Sequence, residues 1–500
     1  MSERFIGSTW LKQHYQLSNI KLSHESYLGT RSKVEILQDG SIIETYQKAQ
    51  YTLKTENPLS HFEFALKYDD VQLSFYQDVL KCIPEKDIVD YIKSSPNSKY
   101  SRKLGFWYEF LIGKHLSIED RPSINYVDLI DSKRYFTGLI VKNARWRINN
   151  NLLGDKGFCP AIKRTKAILR AIDLDFSETL KELVKNYSPE ILNRANNYLY
   201  KKETRSSYQI EKEEPTPERI ERFVSLLSNA GKKDIGELLS EKSLVTLQNQ
   251  IVDPRFAATG FRDYQNYIGQ TTLNYDEIIH YICPPPEFLP ELMKDLSNTA
   301  FKMEGVNPIV RATAIAFGFV FIHPFEDGNG RIHRFLIHDL LSRDNFLPAG
   351  MIIPVSAHMV NNLKLYDEAL EAYSKPIMQI IKYTEDKKQK LTVINASEVE
   401  GYYRFPDLTV QTEYLCTVIE TAISRDLPNE LNFLQNYDEA KELMKQRIDM
   451  PDKLIDSFIR FTHQNNGVFP KRRRSTFHML KDDEIEALQS IFKDVFPSGK

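Results

Sequence analysis

An almost unbroken apolar run, residues 312–322, leads directly into twelve residues that are rich in charge and glycine, H-P-F-E-D-G-N-G-R-I-H-R at positions 323–334. Apolar residues then return at the spacing of one helix face, because positions 332, 335, 336, 340 and 341 are Ile, Phe, Leu, Leu and Leu. A strand would instead alternate between apolar and polar residues. The pattern predicts a buried helix, a short loop and a second helix that begins near Arg331.

The glycines of this loop are the main reason to expect a bound anion. Asp-Gly and Asn-Gly pairs are also typical of β-hairpin turns, but the helical pattern on both sides favours a loop between helices. With a helix beginning near Arg331, the main-chain amides of Gly328, Asn329 and Gly330 can point at one anion, and the helix dipole adds to the attraction. Glycine also lets the main chain approach that anion closely. We therefore expect these three residues to bind phosphate groups.

Two arginines and one aspartate fit a phosphate chain that carries a metal ion. Arg331 and Arg334 are i and i+3, so both can lie on one side of the first helical turn. As cations at a helix N-terminus they oppose the dipole, at roughly 0.3–1 kcal/mol each when exposed, which a multiply charged anion would offset. The alternative is a pair of solvated arginines. Asp327 would repel phosphates unless a cation bridged them, and Mg²⁺ binds through one or two carboxylates together with phosphate oxygens. Asp327 is therefore the predicted magnesium ligand.

His323 closes the apolar run and is a candidate general base. Pro324 disfavours further helix, which holds the histidine at the edge of the loop. There its imidazole could take a proton from an attacking hydroxyl group. A histidine at a helix end is often a capping or packing residue, but the neighbouring anion site favours the catalytic role. His333 is expected to be structural, and Phe325 is expected to anchor the loop in the core.

The stretch from His323 to Arg334 resembles the signature of the Fic (filamentation induced by cAMP) family, His-Pro-Phe-x-Asp/Glu-Gly-Asn-Gly-Arg-x-x-Arg, at every defined position. Most members of that family transfer AMP from ATP to a protein hydroxyl group and release pyrophosphate, so the resemblance implies a protein adenylyltransferase that carries out AMPylation. The Doc-like branch, which transfers phosphate, has a lysine at the position of Gly330. The resemblance therefore implies adenylylation for this chain.

The resemblance also implies a role for each motif residue. It implies His323 as the general base and Asp327 as the ligand of Mg²⁺, the expected cofactor. It implies Arg331 as the catalytic contact that stabilises charge on the phosphates of ATP, and Arg334 as the clamp on the γ-phosphate. The nest for the phosphates would be formed by Gly328, Asn329 and Gly330.

A charged segment upstream, residues 201–217, resembles the family's inhibitory motif in the form that precedes the core. That motif reads Ser/Thr-x-x-x-Glu-Gly/Asn, and Ser207 and Glu211 match it at i and i+4, on one helix face. By this resemblance, Glu211 pairs with Arg334 and takes the place of the γ-phosphate. The chain would then be autoinhibited.

Two details of the sequence bear on this assignment. Lys212 departs from the motif at its last position, where Gly or Asn suits a left-handed helix end. Residues 52–57, T-L-K-T-E-N, fit the loose pattern fully and make Glu56 an alternative candidate. The position of Glu211 directly before the predicted core favours Glu211 over Glu56.

Two further segments match features of the family more loosely. Residues 266–282 have the strand-like residues and turn signals of a β-hairpin, and the family pairs its protein target with such a flap. An ordinary structural hairpin is the alternative. Asn362 and Tyr366 follow the second motif helix, where the family lines its adenine pocket, and a simple helix surface is the alternative there.

The length of 500 residues predicts roughly two to four domains. Thr-Pro-Glu at 216–218 is a helix start signal. We expect a mainly α fold with an all-helical Fic core at residues 216–385 that carries the small β-hairpin flap. An inhibitory segment at 199–215 would precede it, with a mixed α/β domain at 1–198 and a helical domain at 386–500.

Charge and cysteine content limit the remaining possibilities. The formal net charge of −2 gives no bulk basic field that would draw the chain to nucleic acid or to a membrane. The one dense basic run, residues 471–474, is interpreted as a solvated helix end. The four cysteines lack metal-site spacing and fit a reducing compartment. Neither an apolar run of about 18 residues nor a secretory signal is evident, so a cytoplasmic location is expected.

The expected function is transfer of AMP from Mg-ATP to a Ser, Thr or Tyr hydroxyl of a target protein. The chain itself is one candidate target, and a homodimer is compatible with the resemblance. Two alternatives stay open within enzymes, namely removal of AMP from a modified protein and another nucleotide-dependent protein modification. An alternative of another class is a regulatory module that senses a nucleotide without chemistry.

Overall fold

Helices dominate the computed structural model of this chain, and its strands are few and short. The structure describes residues 4–17, 20–37, 40–119, 125–271, 277–348, 350–386 and 391–496. The expected mainly α fold is confirmed. Within the described residues no helix is both long and apolar enough to cross a bilayer. The cytoplasmic location stays a prediction.

The region up to residue 150 mixes strands with helices. Its described strands are β1 (Arg4–Phe5), β2 (His24–Gly29), β3 (Lys33–Ile36), β4 (Ile42–Gln47), β5 (Val127–Asp128), β6 (Val141–Asn143) and β7 (Ile148–Asn150). Its described helices are α1 (Gly7–His14), α2 (Lys48–Tyr51), α3 (Pro58–Tyr68), α4 (Leu73–Cys82), α5 (Glu85–Ser94) and α6 (Lys99–Ile112). One sheet has the order β1-β2-β4-β3, with only the β2 and β4 pair parallel, and a second has the order β5-β7-β6. An apolar cluster that includes Trp107 and Trp146 forms the core of this region.

Helices make up most of the middle of the chain. They are α7 (Lys166–Asp173), α8 (Phe176–Lys185), α9 (Pro189–Ile210), α10 (Pro217–Ser228), α11 (Ile235–Leu238), α12 (Glu241–Ile251), α13 (Leu289–Lys302), α14 (Pro308–Ile322), α15 (Asn329–Arg343), α16 (Val355–Asn361) and α17 (Leu363–Met378). Strands β8 (Tyr267–Thr271) and β9 (Glu277–Ile282) form one antiparallel pair, and β10 (Tyr383–Glu385) and β11 (Leu391–Val393) form another. The predicted start signal of α10 is confirmed, because the Thr216 side chain accepts a hydrogen bond from the Arg219 amide and Pro217 is the first helical residue.

The two helices that flank the motif pack against each other inside the largest apolar cluster. Every residue of α14 from Ile309 to Ile322 is buried, which confirms the buried helix predicted from the apolar run. The helix ends where His323 adopts a left-handed conformation, with φ 53° and ψ 59°. The next helix, α15, follows Gly328 at φ 92° and begins at Asn329, slightly earlier than the sequence pattern indicated.

The C-terminal part continues as helices. They are α18 (Ala396–Arg404), α19 (Thr409–Thr421), α20 (Leu427–Arg447), α21 (Asp452–Gln464) and α22 (Asp482–Val495), with a π-helical stretch at Ala422–Asp426. The basic run lies in a 3₁₀ helix, Lys471–Phe477, and Arg474 pairs with Asp482.

The apolar clusters show where the cores lie. The largest extends from Phe136 to Leu431 and includes residues of α19, which packs on α14. A separate cluster joins Ala440 to Val495. The motif helices therefore draw their packing partners from both sides of residues 216–385, and the exact domain boundaries stay a prediction.

Candidate active site

The motif loop between α14 and α15 is closed by the Asn329 side chain. Its amide oxygen accepts a hydrogen bond from Phe325 N at 3.0 Å, and its amide nitrogen donates to Phe325 O at 2.8 Å. Phe325 is buried, as predicted. The Asn329 side chain therefore fixes the loop, while its main-chain amide lies in the first turn of α15, where helix amides lack partners within the helix.

Asp327 lies beside the same helical turn. Its carboxylate accepts a hydrogen bond from the Gly328 amide and pairs with Arg331. Both of these predicted phosphate-binding residues, Gly328 and Arg331, therefore already contact a carboxylate. The Asp327 side chain is 37% exposed, which leaves it open to a cation from solvent. No group of three or more His, Cys, Asp and Glu side chains that could hold a metal ion occurs among the described residues. A Mg²⁺ ion at Asp327 would therefore take its other ligands from phosphate and water.

His323 has a partly buried imidazole at the end of α14. Its Nδ1 lies 3.2 Å from Val320 O, a geometry in which Nδ1–H donates and Nε2 keeps its lone pair. Burial, together with the positive charge of Arg262, lowers the pKa of His323 to about 4, although Glu211 and Asp327 act in the opposite direction. The imidazole is therefore neutral near pH 7, which is the state that a general base requires.

Arg262 was not predicted from the sequence. Its buried side chain donates from Nε to His323 O at 2.8 Å and from Nη2 to Pro284 O at 2.7 Å, and its main-chain amide donates to Pro324 O at 2.9 Å. It thus joins the motif loop to the segment that follows β9. A single arginine before a strand-like segment has no periodicity or paired motif that would reveal this role.

Arg334 is buried and binds helix α9. Its Nε donates to Ser207 Oγ at 2.8 Å, and its Nη2 donates to Ser207 O at 2.8 Å and to Glu211 Oε1 at 2.7 Å. Burial would lower the pKa of Arg334, but the Glu211 carboxylate raises it, so the guanidinium group stays charged. The two residues predicted to be inhibitory therefore both contact the predicted γ-phosphate clamp.

Helix α9 and helix α15 meet in antiparallel order, with contacts that repeat every four residues. This spacing keeps successive contacts on the facing sides of both helices. The pairs are Glu203 with His338, Ser207 with Arg334, and Glu211 with Gly330.

Glu203, which the sequence did not single out, fixes α9 in place. Its carboxylate is buried, lies 2.7 Å from His338 Nε2 and accepts hydrogen bonds from Ser356 N at 2.7 and 2.9 Å. Ser356 stands in the first turn of α16, so Glu203 satisfies a free amide at a helix start. The helix that carries Ser207 is therefore an integral part of the core.

The Glu211 carboxylate lies directly against Gly330. A Cβ atom at Gly330 would lie 2.2 Å from Glu211 Oε1, which is closer than two such atoms approach in real structures, and 3.3 Å from Arg334 Nη1. The lack of a side chain at Gly330 therefore makes room for the carboxylate. That space adjoins the first turn of α15, where the sequence predicts a bound anion.

Lys212 adopts the conformation that the motif reserves for Gly or Asn. Its φ is 56°, in the left-handed region. The Lys212 amide donates to Gln209 O at 3.0 Å and the Glu213 amide donates to Tyr208 O at 3.1 Å. These two bonds form a Schellman motif, so the lysine departs from the inhibitory pattern in residue type while the left-handed helix end is present.

Glu213 is a second carboxylate at the site, and no sequence pattern distinguishes it from its acidic neighbours. It forms ion pairs with Arg331 and with Arg219, both of which are buried. The Tyr208 ring lies between these arginines, with its centroid 5.3 Å from the Arg331 guanidinium carbon and 5.1 Å from that of Arg219. Residues just beyond α9 therefore engage both motif arginines.

The alternative inhibitory candidate, Glu56, binds elsewhere. Its carboxylate lies 2.8 Å from Arg4 Nη2 and 3.1 Å from His61 Nε2, within the N-terminal region. Arg334 pairs with Glu211 instead.

Asn362 and Tyr366 lie where α16 gives way to α17. The Asn362 side chain donates to His358 O at 2.9 Å. Tyr366 is buried next to Arg334, and burial, with the charge of Glu211, raises the pKa of the Tyr366 phenol to about 12. Tyr366 therefore lies beside the predicted γ-phosphate clamp, and the adenine-pocket role of both residues stays a prediction.

The predicted hairpin is present as β8 and β9. Its strands pair antiparallel with an irregularity between Ile268 and Gly269, and residues 272–276, which follow β8 in the sequence, lie outside the described residues. Asn266, just before β8, contacts the motif loop through a 3.4 Å hydrogen bond from Nδ2 to Phe325 O. The hairpin thus starts beside the loop that carries His323.

The motif loop and nearly all of the two helices on either side of it lie within a segment that matches a known family. Residues 238–341 match the Fic/DOC family, so the chain contains a domain of that family. The matched segment includes α12, α14 and most of α15 with the whole motif. Glu211 and Glu213 precede it.

Curated relatives carry the name protein adenylyltransferase fic-1. The chain is 28% identical to the protein from Caenorhabditis briggsae over 169 residues, which are 32% of this chain and 30% of the relative. It is 29% identical to the protein from Caenorhabditis elegans over 107 residues, which are 21% of each chain. The chain thus spans less than a third of the length of these relatives.

Three solved structures to which the chain has low similarity are described as Fic proteins. A Fic family protein from Desulfovibrio desulfuricans G20 has a TM-score of 0.38 at 18% identity, covering 56% of this chain and 79% of that one. A Fic domain containing signaling protein from Bacteroides thetaiotaomicron has a TM-score of 0.35 at 18% identity, covering 54% and 97%. A fragment of Fic-1 from C. elegans has a TM-score of 0.31 at 16% identity, covering 75% and 100%.

Proposed function

We propose that this chain transfers AMP from Mg-ATP to a hydroxyl group of a protein, and that Glu211 holds it in an inhibited state. The observation that carries the proposal is the position of the Glu211 carboxylate, bonded to Arg334 and set against Gly330. An anionic group of the chain itself lies where the motif predicts an anion of the substrate. The names of the C. briggsae and C. elegans relatives support the reaction type.

The donors at the site suit a chain of phosphates. Among the described residues, Arg334 Nη1 and Arg331 Nε are buried without hydrogen-bond partners, which leaves donor capacity for a ligand. The first amides of α15 and its dipole add to this positive region. Gly330 leaves room for a ligand that comes close to the main chain.

In the proposed reaction, the target hydroxyl oxygen attacks the α-phosphorus of ATP. The bond from that phosphorus to the oxygen bridging the α- and β-phosphates breaks, and pyrophosphate leaves with this oxygen. His323 Nε2 accepts the proton of the attacking hydroxyl, because Nδ1 is turned toward Val320 O. Arg331 and Arg334 stabilise the negative charge of the phosphates. Asp327 would hold Mg²⁺, which neutralises phosphate charge when it is bound.

The attraction between Glu211 and Arg334 is strong enough to compete with the binding of the γ-phosphate in the proposed inhibition. Two unit charges at about 4 Å attract by about 4 kcal/mol in an effective dielectric of about 20, before the cost of desolvation is subtracted. A net 1.4 kcal/mol already changes an equilibrium about tenfold. Glu213 pairs with Arg331 at the same time, so in the proposed inhibited state each of the two arginines already has a carboxylate partner that competes with the phosphates.

The hairpin of β8 and β9 is the proposed contact for the target protein. Its first residues adjoin the motif loop through Asn266 and Phe325. An extended target segment that added to the edge of this hairpin would bring a Ser, Thr or Tyr hydroxyl near His323.

Transfer of label from ATP tests the proposal. The chain and its Glu211→Gly variant are incubated with Mg²⁺ and ATP labelled at either the α- or the γ-phosphate, with lysate proteins as acceptors. Label from the α-position alone, stronger in Glu211→Gly and lost in Glu211→Gly/His323→Ala, is the expected result. Glu214→Gly is the matched control, because it removes an exposed carboxylate three positions away.

Other outcomes would support the alternatives. Protein labelled from the γ-position would point to phosphate transfer. Loss of AMP from a previously labelled protein, without new labelling, would point to removal of AMP. ATP binding without any labelled protein in either variant would favour a nucleotide-sensing module.

A further inference from the structure

We propose that Arg262 is the positioning residue of the catalytic base, holding the His323 main chain in its left-handed turn and joining the motif loop to the hairpin that would carry the target. This role rests on the proposed transfer reaction. It assigns a task to a residue that lies outside the His323–Arg334 motif.

Arg262 makes an unusual set of contacts for a buried arginine. The residue is 6% exposed, and its hydrogen bonds within the described part of the chain all go to main-chain carbonyl oxygens. The side-chain bonds are Nε to His323 O at 2.8 Å, Nη2 to Pro284 O at 2.7 Å and to Ile322 O at 3.4 Å, and Nη1 to Tyr264 O at 2.8 Å.

These contacts place the guanidinium group at the point where α14 ends. His323 leaves the helix at φ 53°, a conformation that a residue with a Cβ atom adopts only when its surroundings enforce it. The carbonyls of Ile322 and His323 can no longer be bonded by a following helical turn, and Arg262 supplies donors to both. The main-chain amide of Arg262 also donates to Pro324 O, so the turn is held on both sides of the histidine.

The same side chain couples the base to the hairpin. Pro284 lies two residues after the end of β9. Nη2 of Arg262 donates both to the Pro284 carbonyl and to the carbonyl of Ile322, the last residue of α14. A planar guanidinium group with several donors in fixed directions can set the distance between two such segments, which a lysine cannot do. Arg262 would therefore set how far a target held on the hairpin lies from His323.

The charge of Arg262 acts on the base as well. No carboxylate pairs with Arg262 among the described residues, so its charge is not offset locally, and burial lowers the pKa of Arg262 itself. The charged groups that act on His323 are Arg262, Glu211 and Asp327, and of these only Arg262 lowers the pKa of His323. Removing the Arg262 charge should therefore make the imidazole easier to protonate.

Two variants separate position from charge. In the Glu211→Gly background, Arg262→Lys keeps the charge but loses the fork of donors, and Arg262→Met loses both. We expect Arg262→Met to lower kcat by about tenfold to a hundredfold, the range that follows from misplacing a catalytic group by about 1 Å, with the KM for ATP unchanged. Arg262→Lys should recover part of kcat. Arg255→Met, at an arginine that is 81% exposed, is the control.

The pH profile distinguishes positioning from a merely structural role. In Arg262→Met the acid limb of the pH profile of kcat/KM should move to higher pH than in Glu211→Gly alone. In Arg262→Lys the acid limb should lie at the same pH as in Glu211→Gly alone. A fall in kcat with an unmoved acid limb in Arg262→Met, and no recovery in Arg262→Lys, would overturn the proposal. If Arg262→Met does not fold, Arg262→Lys decides, because an unchanged kcat there would also overturn it.

A measurement without ATP keeps this test separate from the proposed reaction. The His323 ring signal of ¹³C-histidine-labelled protein is assigned with His323→Gln and titrated from pH 8 to pH 5. The ring should stay neutral throughout in the parent and become protonated at higher pH in Arg262→Met. Failure of Glu211→Gly to transfer label would contradict the proposed function, whereas identical titrations of parent and Arg262→Met would contradict the assignment to Arg262.

Discussion

The Arg334 guanidinium group donates a hydrogen bond from Nη2 to Glu211 Oε1 at 2.7 Å, across 123 positions of sequence. The contact joins the residue that directly follows α9 to the second turn of α15, and the four-residue spacing of the contacts between these helices fixes it in place. Glu203 anchors α9 in the core. A local change at residues 211–213 would therefore release Arg334 from Glu211 more easily than departure of the whole helix would.

The left-handed Lys212 gives the first prediction. A non-glycine residue in that conformation costs roughly 1–2 kcal/mol, so Lys212→Gly should raise the free energy of unfolding by about 1 kcal/mol. The firmer helix end should also hold Glu211 more tightly and lower residual transfer of AMP. Urea unfolding and α-label incorporation measure the two effects. Lys212→Asn should show the same signs to a smaller extent, and a Lys212→Gly protein that is less stable than the parent would contradict this view of the helix end.

Glu213 gives a prediction that is separate from Glu211. Glu213→Gln weakens the ion pairs with two buried arginines, Arg331 and Arg219, and should lower the free energy of unfolding by about 1–3 kcal/mol. It should also raise transfer, because Arg331 becomes available to the phosphates. Unfolding in urea and a comparison of Glu213→Gln, Glu211→Gly and the double variant measure both changes. If the double variant transfers no more than Glu211→Gly, Glu213 has no inhibitory part; Glu214→Gln is the charge-matched control.

The pKa of His323 predicts an unusual pH profile. With a pKa lowered to about 4, the imidazole is neutral and competent above that value, so activity should be lost only as pH falls towards 4. Glu211→Gly removes a charge that raises this pKa, so the acid limb of that variant should not lie higher. Initial rates of Glu211→Gly should therefore be nearly level from pH 8 to pH 6. A decline centred near the ordinary histidine value of 6.5 would show that the imidazole is not desolvated as the structure indicates.

Asp327 carries the prediction about the metal. Asp327→Ala in the Glu211→Gly background should abolish transfer at all concentrations of Mg²⁺, because the phosphate-bound ion loses its carboxylate. The fold should persist, since Arg331 keeps its partner Glu213 and the Asp327 side chain is partly exposed. Transfer rates and thermal unfolding are measured side by side, with Glu326→Ala as the control from the same loop. Full activity of Asp327→Ala would exclude it as a required metal ligand.

Periodicity and one local motif were sufficient to predict the centre of this molecule. The apolar run predicted α14 and the helical spacing predicted α15, because both helices are buried in one core and their pattern outweighs the hairpin signal of the Asp-Gly and Asn-Gly pairs between them. Ser207 and Glu211 could be found because their spacing matches a known inhibitory pattern, and the structure brings both to Arg334.

Contacts made by isolated side chains could not be predicted in the same way. Arg262 acts through carbonyl oxygens that any residue can provide, so nothing in the sequence marks its partners. Glu213 is one of several neighbouring acidic residues. The left-handed conformation of Lys212 directs the chain so that Glu213 contacts Arg331. From the sequence alone, Glu203 resembles an ordinary surface charge. Its role depends on contacts with His338 of α15 and Ser356 of α16, which only the folded structure shows.

The central claim is that Glu211 withholds Arg334 from the phosphates of ATP. It is tested most directly by the initial rate of AMP incorporation from α-labelled ATP in Glu211→Gly, relative to the parent chain and to Glu214→Gly. Loss of a contact worth a net 1.4 kcal/mol or more predicts an increase of about tenfold or more for Glu211→Gly and none for Glu214→Gly. Equal rates in the parent chain and Glu211→Gly, with both proteins folded and binding ATP, would contradict the claim.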